Sequence, residues 1–327
     1  MQDKEIFIHI GYPKTATTTL QNYMFPNHCG LVYLREDSKN LPFFHDMVFS
    51  RENYVKNNIE YYKKELGNRL KNDRTKYIYS EESLTSFGMY FRFNPSPYVW
   101  TIEPNSIARK LKIIFKDSGV FEKQKIIITI REQKSIIKSM YAQVYNMVFK
   151  RFRQTNTFEK FLKYSFENKD QFILDTIDYD SVIKTYEELF GKENICVLVY
   201  EDLKQNKNSF VKKLTDFMGI DFNEAMKLIE NKHTNKRSSS SGIYQSDERR
   251  ITELLGYYKT KLGIKSLGLS NSWIFKLLDK IYIPGRKLKI EISKEYEEKI
   301  NNFYKKGNSE LSKRYDLNLK KWGYSCE

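Results

Sequence analysis

Residues 6–21 read Ile6-Phe7-Ile8-His9-Ile10-Gly11-Tyr12-Pro13-Lys14-Thr15-Ala16-Thr17-Thr18-Thr19-Leu20-Gln21. An apolar, β-branched run leads into a turn with Gly11 and Pro13, and a block of threonines then opens an amphipathic segment. This pattern predicts a strand, a tight loop and the beginning of a helix. The first N–H groups of a helix attract anions, because they and the helix dipole present partial positive charge. Together with Lys14, they predict an anion-binding loop.

The predicted loop is not a Walker A motif, which has four residues between its first glycine and the Gly-Lys-Ser/Thr. Here only Tyr12 and Pro13 separate Gly11 from Lys14. An ordinary strand-to-helix turn with a solvated lysine is the alternative interpretation. Four threonines are unfavourable in the first turns of a helix, so a local reason for them is needed, and anion binding supplies one.

The segment from Gly11 to Gln21 resembles the 5′-phosphosulfate-binding loop of the sulfotransferases that use 3′-phosphoadenosine 5′-phosphosulfate (PAPS). The resemblance implies that Lys14 is catalytic and neutralises the charge that develops on the bridging oxygen. It also places Tyr12 beside the acceptor. The usual family form has glycine where this chain has Ala16. The residues that the resemblance assigns to PAPS in this loop are Pro13, Lys14, Thr15, Ala16, Thr17, Thr18 and Thr19.

A second motif follows the third predicted strand and contains Arg131 and Ser139. A guanidinium offers a two-pronged contact to phosphate, and a serine eight residues later lies just over two helical turns further on. The pair resembles the family's 3′-phosphate-binding motif. In the alternative interpretation, Arg131 is a surface cation and Ser139 is a helix residue that binds no ligand. The basic loop with Lys236 and Arg237 resembles the segment that closes over the 3′-phosphate and adenine, although a solvated loop would have the same composition.

A third motif follows the second predicted strand and reads Tyr79-Ser80-Glu81-Glu82-Ser83-Leu84. A carboxylate at this strand end is suited to accept a proton from an acceptor hydroxyl. The resemblance places Glu82 on the family's catalytic glutamate and Glu81 beside the acceptor. Glu81 could be the base in place of Glu82, and both could instead be carboxylates at the beginning of a helix.

The acceptor is predicted from the aromatic segment 86–100 and from the end of the chain. Tyr90 and Trp100 can stack on sugar rings and Arg92 can meet an acidic group, unless these residues belong to the core. Residues 308–317 and 322–324 resemble the closing segment of bacterial carbohydrate sulfotransferases. The resemblance therefore implies a carbohydrate or glycolipid acceptor, PAPS as the donor, 3′-phosphoadenosine 5′-phosphate (PAP) as the product, and no metal.

The composition of the 327 residues limits the alternatives. Lys and Arg number 56 against 41 Asp and Glu, so the net charge is +15, which suits an anionic cofactor, an acidic glycan or a nucleic acid. The basic residues are spread along the chain and no nucleic-acid-binding motif is present, so we expect no nucleic-acid partner. The 3 cysteines are too few and too widely spaced for a disulfide framework or zinc site.

No apolar stretch approaches the ~20 residues of a membrane-spanning helix, and no signal-peptide pattern is present. The sequence therefore predicts a cytoplasmic protein without a transmembrane segment, and it does not predict the oligomeric state. A P-loop-like kinase that uses ATP and Mg²⁺ is the alternative function. Such an enzyme usually places an acidic residue at a strand end to hold the metal, whereas the third strand here ends in Arg131.

Four apolar runs separated by helical patterns predict an α/β fold, a P-loop-like doubly wound parallel sheet flanked by helices. We expect a single domain over residues 1–327, with an α/β core at 1–220 and a basic loop and helical C-terminal extension at 221–327. The predicted strands are Glu5–Ile10, Tyr77–Ser80, Lys125–Ile130 and Asn194–Tyr200. The predicted helices are Thr17–Phe25, Glu52–Leu70, Ile107–Lys116, Lys134–Phe149, Thr157–Tyr164, Ser181–Phe190, Ser209–Met218, Gln245–Leu262 and a pair around Ile292–Arg314.

Overall fold

A five-stranded parallel sheet forms the centre of the computed structural model. Its strands are β1 (Glu5–His9), β2 (Val32–Tyr33), β3 (Lys76–Ser80), β4 (Lys123–Ile130) and β5 (Ile195–Val199). They lie in the order β2-β3-β1-β4-β5, and every neighbouring pair is parallel. The chain fills one side of β1 before it crosses to the other, and ligands of such sheets bind at this change of direction, beyond the carboxyl ends of the strands.

The structure describes residues 3–34, 46–48, 50–71, 73–82, 84–85, 104–145, 149–168, 173–230, 243–245, 249–250, 282–283 and 287–327. Within these ranges no helix combines the length and the apolar character that crossing a lipid bilayer would require.

The central strands are apolar on both faces. On β1, Ile6 and Ile8 pack into one core while Phe7 packs into a second core on the opposite face. On β4, Ile126 and Ile127 divide between the two cores in the same way. Successive side chains of a strand point to opposite faces, so a sheet covered by helices on both sides requires an uninterrupted apolar run. This requirement explains the runs in the sequence.

Helices cover both faces of the sheet. The α-helices of the described residues are α1 (Thr17–Thr19), α2 (Glu52–Asn57), α3 (Ile59–Gly67), α4 (Pro104–Leu111), α5 (Gln133–Val144), α6 (Phe158–Glu167), α7 (Ile173–Thr176), α8 (Tyr179–Phe190), α9 (Tyr200–Gln205), α10 (Lys207–Met218), α11 (Phe222–Ile229) and α12 (Lys294–Arg314). Wider π-helical turns, Leu20–Met24 and Lys112–Asp117, continue α1 and α4. Two small antiparallel ladders join β6 (Ile243–Gln245) to β9 (Lys287–Lys289) and β7 (Arg249–Arg250) to β8 (Tyr282–Ile283).

The predicted fold class is confirmed, and all four predicted strands are present with ends shifted by one or two residues. Three helix predictions were wrong in detail. The helix expected over residues 52–70 is divided at Asn58, whose backbone leaves the helical region. The pair expected around residues 292–314 is one helix, α12. In the helix expected over Gln245–Leu262, Gln245 instead pairs with Lys287 in β6 and residues 249–250 form β7, while residues 246–248 and 251–262 lie outside the described residues.

The C-terminal helix α12 packs against the body of the sheet domain through charged groups. The Arg314 guanidinium donates to Asp180 at 2.6 Å and to Glu187 at 2.7 Å, both on α8. A buried pair of amides makes a second contact: Gln133 at the start of α5 donates to Asn308 at 2.7 Å and accepts from it at 3.2 Å. The helix therefore lies directly behind α5, which follows Arg131.

Candidate active site

The predicted anion-binding loop lies between β1 and α1, at the carboxyl edge of the sheet. The N–H of Ile10 donates to the carbonyl of Ile127 at 3.0 Å, and the N–H of Tyr12 donates to that of Thr129 at 3.1 Å. The loop thus remains bonded to β4 until Tyr12 and then turns away. Lys14 and Ala16 both adopt left-handed backbone conformations, with φ of 66° and 63°.

Gly11 is required by close packing at the base of the loop. A Cβ atom at this position would lie 2.7 Å from Nε2 of His9 and 2.8 Å from the Cγ2 of Thr17. His9 is fully buried, with Nδ1 2.7 Å from Ser80 Oγ and Nε2 3.3 Å from Thr129 Oγ1. Burial lowers the pKa of His9 to about 3. The imidazole is therefore neutral and joins β1 to its two neighbours.

Ala16 is the N-cap residue of α1 in the left-handed region and has no side-chain acceptor for the first helical N–H groups. This conformation costs a residue with a Cβ about 1–2 kcal/mol, which accounts for the glycine in the usual family form. A left-handed residue next to a right-handed one turns successive N–H groups towards one concavity, an arrangement that binds anions. The backbone here therefore has the alternation of conformations that is typical of an anion-binding concavity.

The threonine side chains of this loop do not all face the concavity. The Thr15 hydroxyl is buried and donates to the carbonyl of Tyr12, which closes the loop on itself. The Thr17 hydroxyl donates to the carboxylate of Glu82. These two hydroxyls therefore make contacts that hold the loop in place. The side chain of Thr18 is half-buried.

Glu82 is brought to the loop by the end of β3. The N–H of Glu81 donates to the carbonyl of His9 at 3.0 Å, so β3 stays paired with β1 up to this point. The side chain of Glu81 is 6% exposed, whereas Glu82 is half-buried and contacts Thr17 at the beginning of α1. The Glu82 carboxylate therefore contacts the anion-binding loop.

Arg131 joins the second motif to the first. Its Nη1 donates to the carbonyl of Lys14 at 3.1 Å, while its Nε and Nη2 donate to Ser135 Oγ at 3.0 Å and 2.6 Å. Ser139, the predicted partner, lies one turn beyond Ser135 on α5 and is half-buried. Sequence reasoning missed Ser135, although its spacing of four residues from Arg131 is the helical neighbour spacing that could have indicated it.

A cavity of about 270 Å³ lies along this turn of α5. Its lining contains three cationic side chains and two carboxylates, and two of these cations, Lys134 and Lys138, were not among the predicted site residues. The cationic majority suits an anionic group. The lining residues are Arg131, Glu132, Lys134, Ser135, Lys138, Ile292 and Glu297.

Tyr12 is not placed where an acceptor could touch it. Its side chain is 1% exposed, its hydroxyl donates to the carbonyl of Thr176 at 2.6 Å, and its ring packs edge-on against Tyr179 at 4.9 Å. The expected contact between Tyr12 and the acceptor is therefore wrong for this conformation. The ring instead anchors the loop to α7 and α8. Five other predicted site residues lie outside the described residues: Tyr90, Arg92, Trp100, Lys236 and Arg237.

One cluster in the described part of the chain has the atom types of a metal site: His28, Cys29 and Glu224, whose ligand atoms lie within 4.8 Å of one another. The N–H of Gly30 donates to Nδ1 of His28 at 3.1 Å. Because Nδ1 of His28 accepts this bond, Nε2 of His28 carries the proton and donates to the carbonyl of Asp221 at 3.1 Å. In this arrangement the imidazole has no lone pair to offer a cation, so the cluster joins the turn after α1 to α11.

Comparisons with known proteins agree with this geometry. Residues 3–306 match the model of the sulfotransferase domain family, so the chain belongs to this family. The match confirms the assignment to the PAPS-dependent sulfotransferases. A comparison with curated proteins found no match.

Solved structures that resemble this chain include two sulfotransferases, of which the first shares its fold. The crystal structure of a sulfotransferase from Alicyclobacillus acidocaldarius is 12% identical, with a TM-score of 0.52 over 97% of this chain and 98% of that one. Mouse sulfotransferase SULT7A1 complexed with PAP is 16% identical, with a TM-score of 0.40 over 85% of this chain and 89% of that one.

Proposed function

We propose that this sulfotransferase transfers the sulfuryl group of PAPS to a hydroxyl group of its acceptor. The acceptor oxygen forms a bond to sulfur while the bond from sulfur to the 5′-phosphate oxygen breaks in line with it. The hydroxyl proton passes to the Glu82 carboxylate, and PAP leaves. The observation that carries the proposal is the contact of Arg131 with the Lys14 carbonyl, because it places the two predicted phosphate motifs side by side.

The loop from Pro13 to Thr19 fits the 5′-phosphate side of the donor. The left-handed conformations of Lys14 and Ala16 shape the backbone into a concavity, and the Lys14 ammonium adds the charge that stabilises the leaving oxygen. Arg131 and Ser139 are assigned to the 3′-phosphate, and the position of Ser135 adds a third donor there. Lys236 and Arg237 are assigned to the same phosphate by resemblance.

The proposed base is Glu82 rather than Glu81. Its contact with the Thr17 hydroxyl fixes the carboxylate beside the loop, and its partial exposure leaves room for a hydroxyl to approach. The lesser exposure of Glu81, 6%, favours a supporting role beside the acceptor. A positioned general base contributes ~10²–10⁴-fold to a rate.

The 3′-phosphate assignment is tested by calorimetric titration with PAP and with ADP, both without metal. Wild-type protein should bind PAP at least ~10-fold more tightly than ADP, and Arg131→Ala should lose most of this difference, since a hydrogen bond to a charged group is worth about 1.5–3 kcal/mol. Equal affinity for both nucleotides, or a requirement for Mg²⁺, would contradict the proposal and favour the kinase alternative.

The proposed acceptor is a carbohydrate or glycolipid. Its support is the resemblance of residues 308–317 and 322–324 to bacterial carbohydrate sulfotransferases and the aromatic and cationic composition of Tyr90, Arg92 and Trp100. We expect transfer of radiolabelled sulfate from PAPS to oligosaccharides in a screen that also contains small phenols and amines. Transfer to phenols alone would refute this part of the proposal and leave the donor assignment intact.

A further inference from the structure

The turn that carries Arg131 is held by a carboxylate from α9, the helix that follows the neighbouring strand β5. Ile130 ends β4 and pairs with Val199 at the end of β5, so Arg131 and Glu201 both lie just beyond the same edge of the sheet. The N–H of Glu132 donates to Oε1 of Glu201 at 3.1 Å. We propose that Glu201 is a positioning residue, which acts through Arg131 to set the affinity for the 3′-phosphate.

The hydrogen bonds of the Glu132 side chain lie within the start of α5, whereas Glu201 bonds the turn to a different element. The carboxylate of Glu132 caps α5 by accepting from the N–H groups of Lys134 at 3.0 Å and Ser135 at 2.7 Å. These bonds fix the start of the helix internally. The bond from the Glu132 N–H to Glu201 is different, because it ties this helix start to α9 and therefore to the end of β5.

A second hydrogen bond holds the Glu201 carboxylate, and neighbouring aromatic residues contact Arg131. Oε2 of Glu201 accepts from the hydroxyl of Tyr324 at 3.3 Å, so both carboxylate oxygens are engaged. The preceding residue, Tyr200, presents its ring to the Arg131 guanidinium at 5.0 Å. Residues 200 and 201 thus contact the guanidinium and the backbone of the same turn. On the other side, the Tyr179 hydroxyl donates to the carbonyl of Arg131 at 2.7 Å.

The contact requires the charged Glu201 carboxylate to be half-buried, and this suggests glutamine as a test substitution at this position. Burial raises the pKa of Glu201, while the Arg131 guanidinium acts to lower it. A glutamine has nearly the same shape and keeps a carbonyl oxygen that can accept from the Glu132 N–H, but it carries no charge to desolvate. Glu201→Gln should therefore keep the turn in place, and Glu201→Ala should release it.

The inference rests on the proposed 3′-phosphate contact and is tested by calorimetric titration of the full chain with PAP and ADP. We expect Glu201→Ala to weaken PAP binding about tenfold with ADP binding unchanged, and Glu201→Gln to remain close to wild type. In an Arg131→Ala background, Glu201→Ala should cause no further loss, because residues that act through one another are not additive.

The control is Glu187→Ala, which removes a carboxylate of similar accessibility bonded to Arg314 at 2.7 Å. It should lower thermal stability without changing the ratio of PAP to ADP affinity. Equal weakening of both nucleotides by Glu201→Ala, or an additive loss in the Arg131→Ala background, would overturn the inference. Failure of the wild-type protein to distinguish PAP from ADP would instead overturn the proposed function, so the two failures are separable.

Discussion

Lys14→Ala is expected to lower kcat by about 10²–10³-fold, the loss typical for removal of one preorganised charge or donor at a developing anion. PAP affinity should change only a few-fold. The reason lies in the geometry: the backbone carbonyl of Lys14, not its side chain, accepts from Arg131, and alanine can adopt the left-handed conformation there at much the same cost as lysine. Steady-state kinetics with the best acceptor, beside calorimetry with PAP, measures the two effects separately.

Lys14→Arg is the matched variant for this experiment, because it keeps the positive charge in a different shape. It should retain more turnover than Lys14→Ala. A kcat of Lys14→Ala within a few-fold of wild type would exclude the proposed role for the ammonium. A large loss of PAP affinity with kcat preserved would show that Lys14 contributes to binding alone.

Glu82→Gln should reduce kcat by ~10²–10⁴-fold, the usual contribution of a general base. The glutamine carbonyl oxygen can still accept from the Thr17 hydroxyl, so the contact that holds the loop is preserved while the base is lost. PAP affinity and thermal stability are therefore expected to stay near their wild-type values. The measurement is kcat at saturating donor and acceptor.

Two matched variants complete the test of the base. Glu81→Gln changes the more buried carboxylate and should leave kcat within a few-fold of wild type. Thr17→Val removes the hydroxyl that orients Glu82 and should cost less than Glu82→Gln. If Glu81→Gln shows the large loss and Glu82→Gln does not, the base has been assigned to the wrong neighbour.

The sheet and the turn between β1 and α1 could be predicted from the sequence because their determinants are local. An uninterrupted apolar run such as that of β4 has few interpretations, and the order of Gly11, Pro13 and Lys14 specifies a turn before a helix. β2 was missed because two residues, Val32 and Tyr33, are too few to produce a pattern. The π-helical turn at Leu20–Met24 is likewise too short, at 5 residues, to produce a recognisable spacing of apolar residues.

The remaining details depend on contacts between residues far apart in the chain. Whether Arg131 meets Ser135 or Ser139 is decided by the torsions of a long side chain, and spacing alone leaves both available. Tyr12 was expected at the acceptor because of its neighbours in sequence. Its direction is instead set by Thr176 and Tyr179, which no local pattern links to it.

The central position of β1 has a consequence for synthesis of the chain. Its two partners come later: Ile8 pairs with Tyr79 on one side and with Ile126 on the other. At ~5–20 residues per second, ribosomes need on the order of ten seconds to travel from β1 to β4. Throughout that interval at least one hydrogen-bonding edge of this apolar strand is open, a state prone to aggregation. The anion-binding loop, which also bonds to β4, therefore cannot be completed until β4 has been translated, although the loop precedes β4 in the chain.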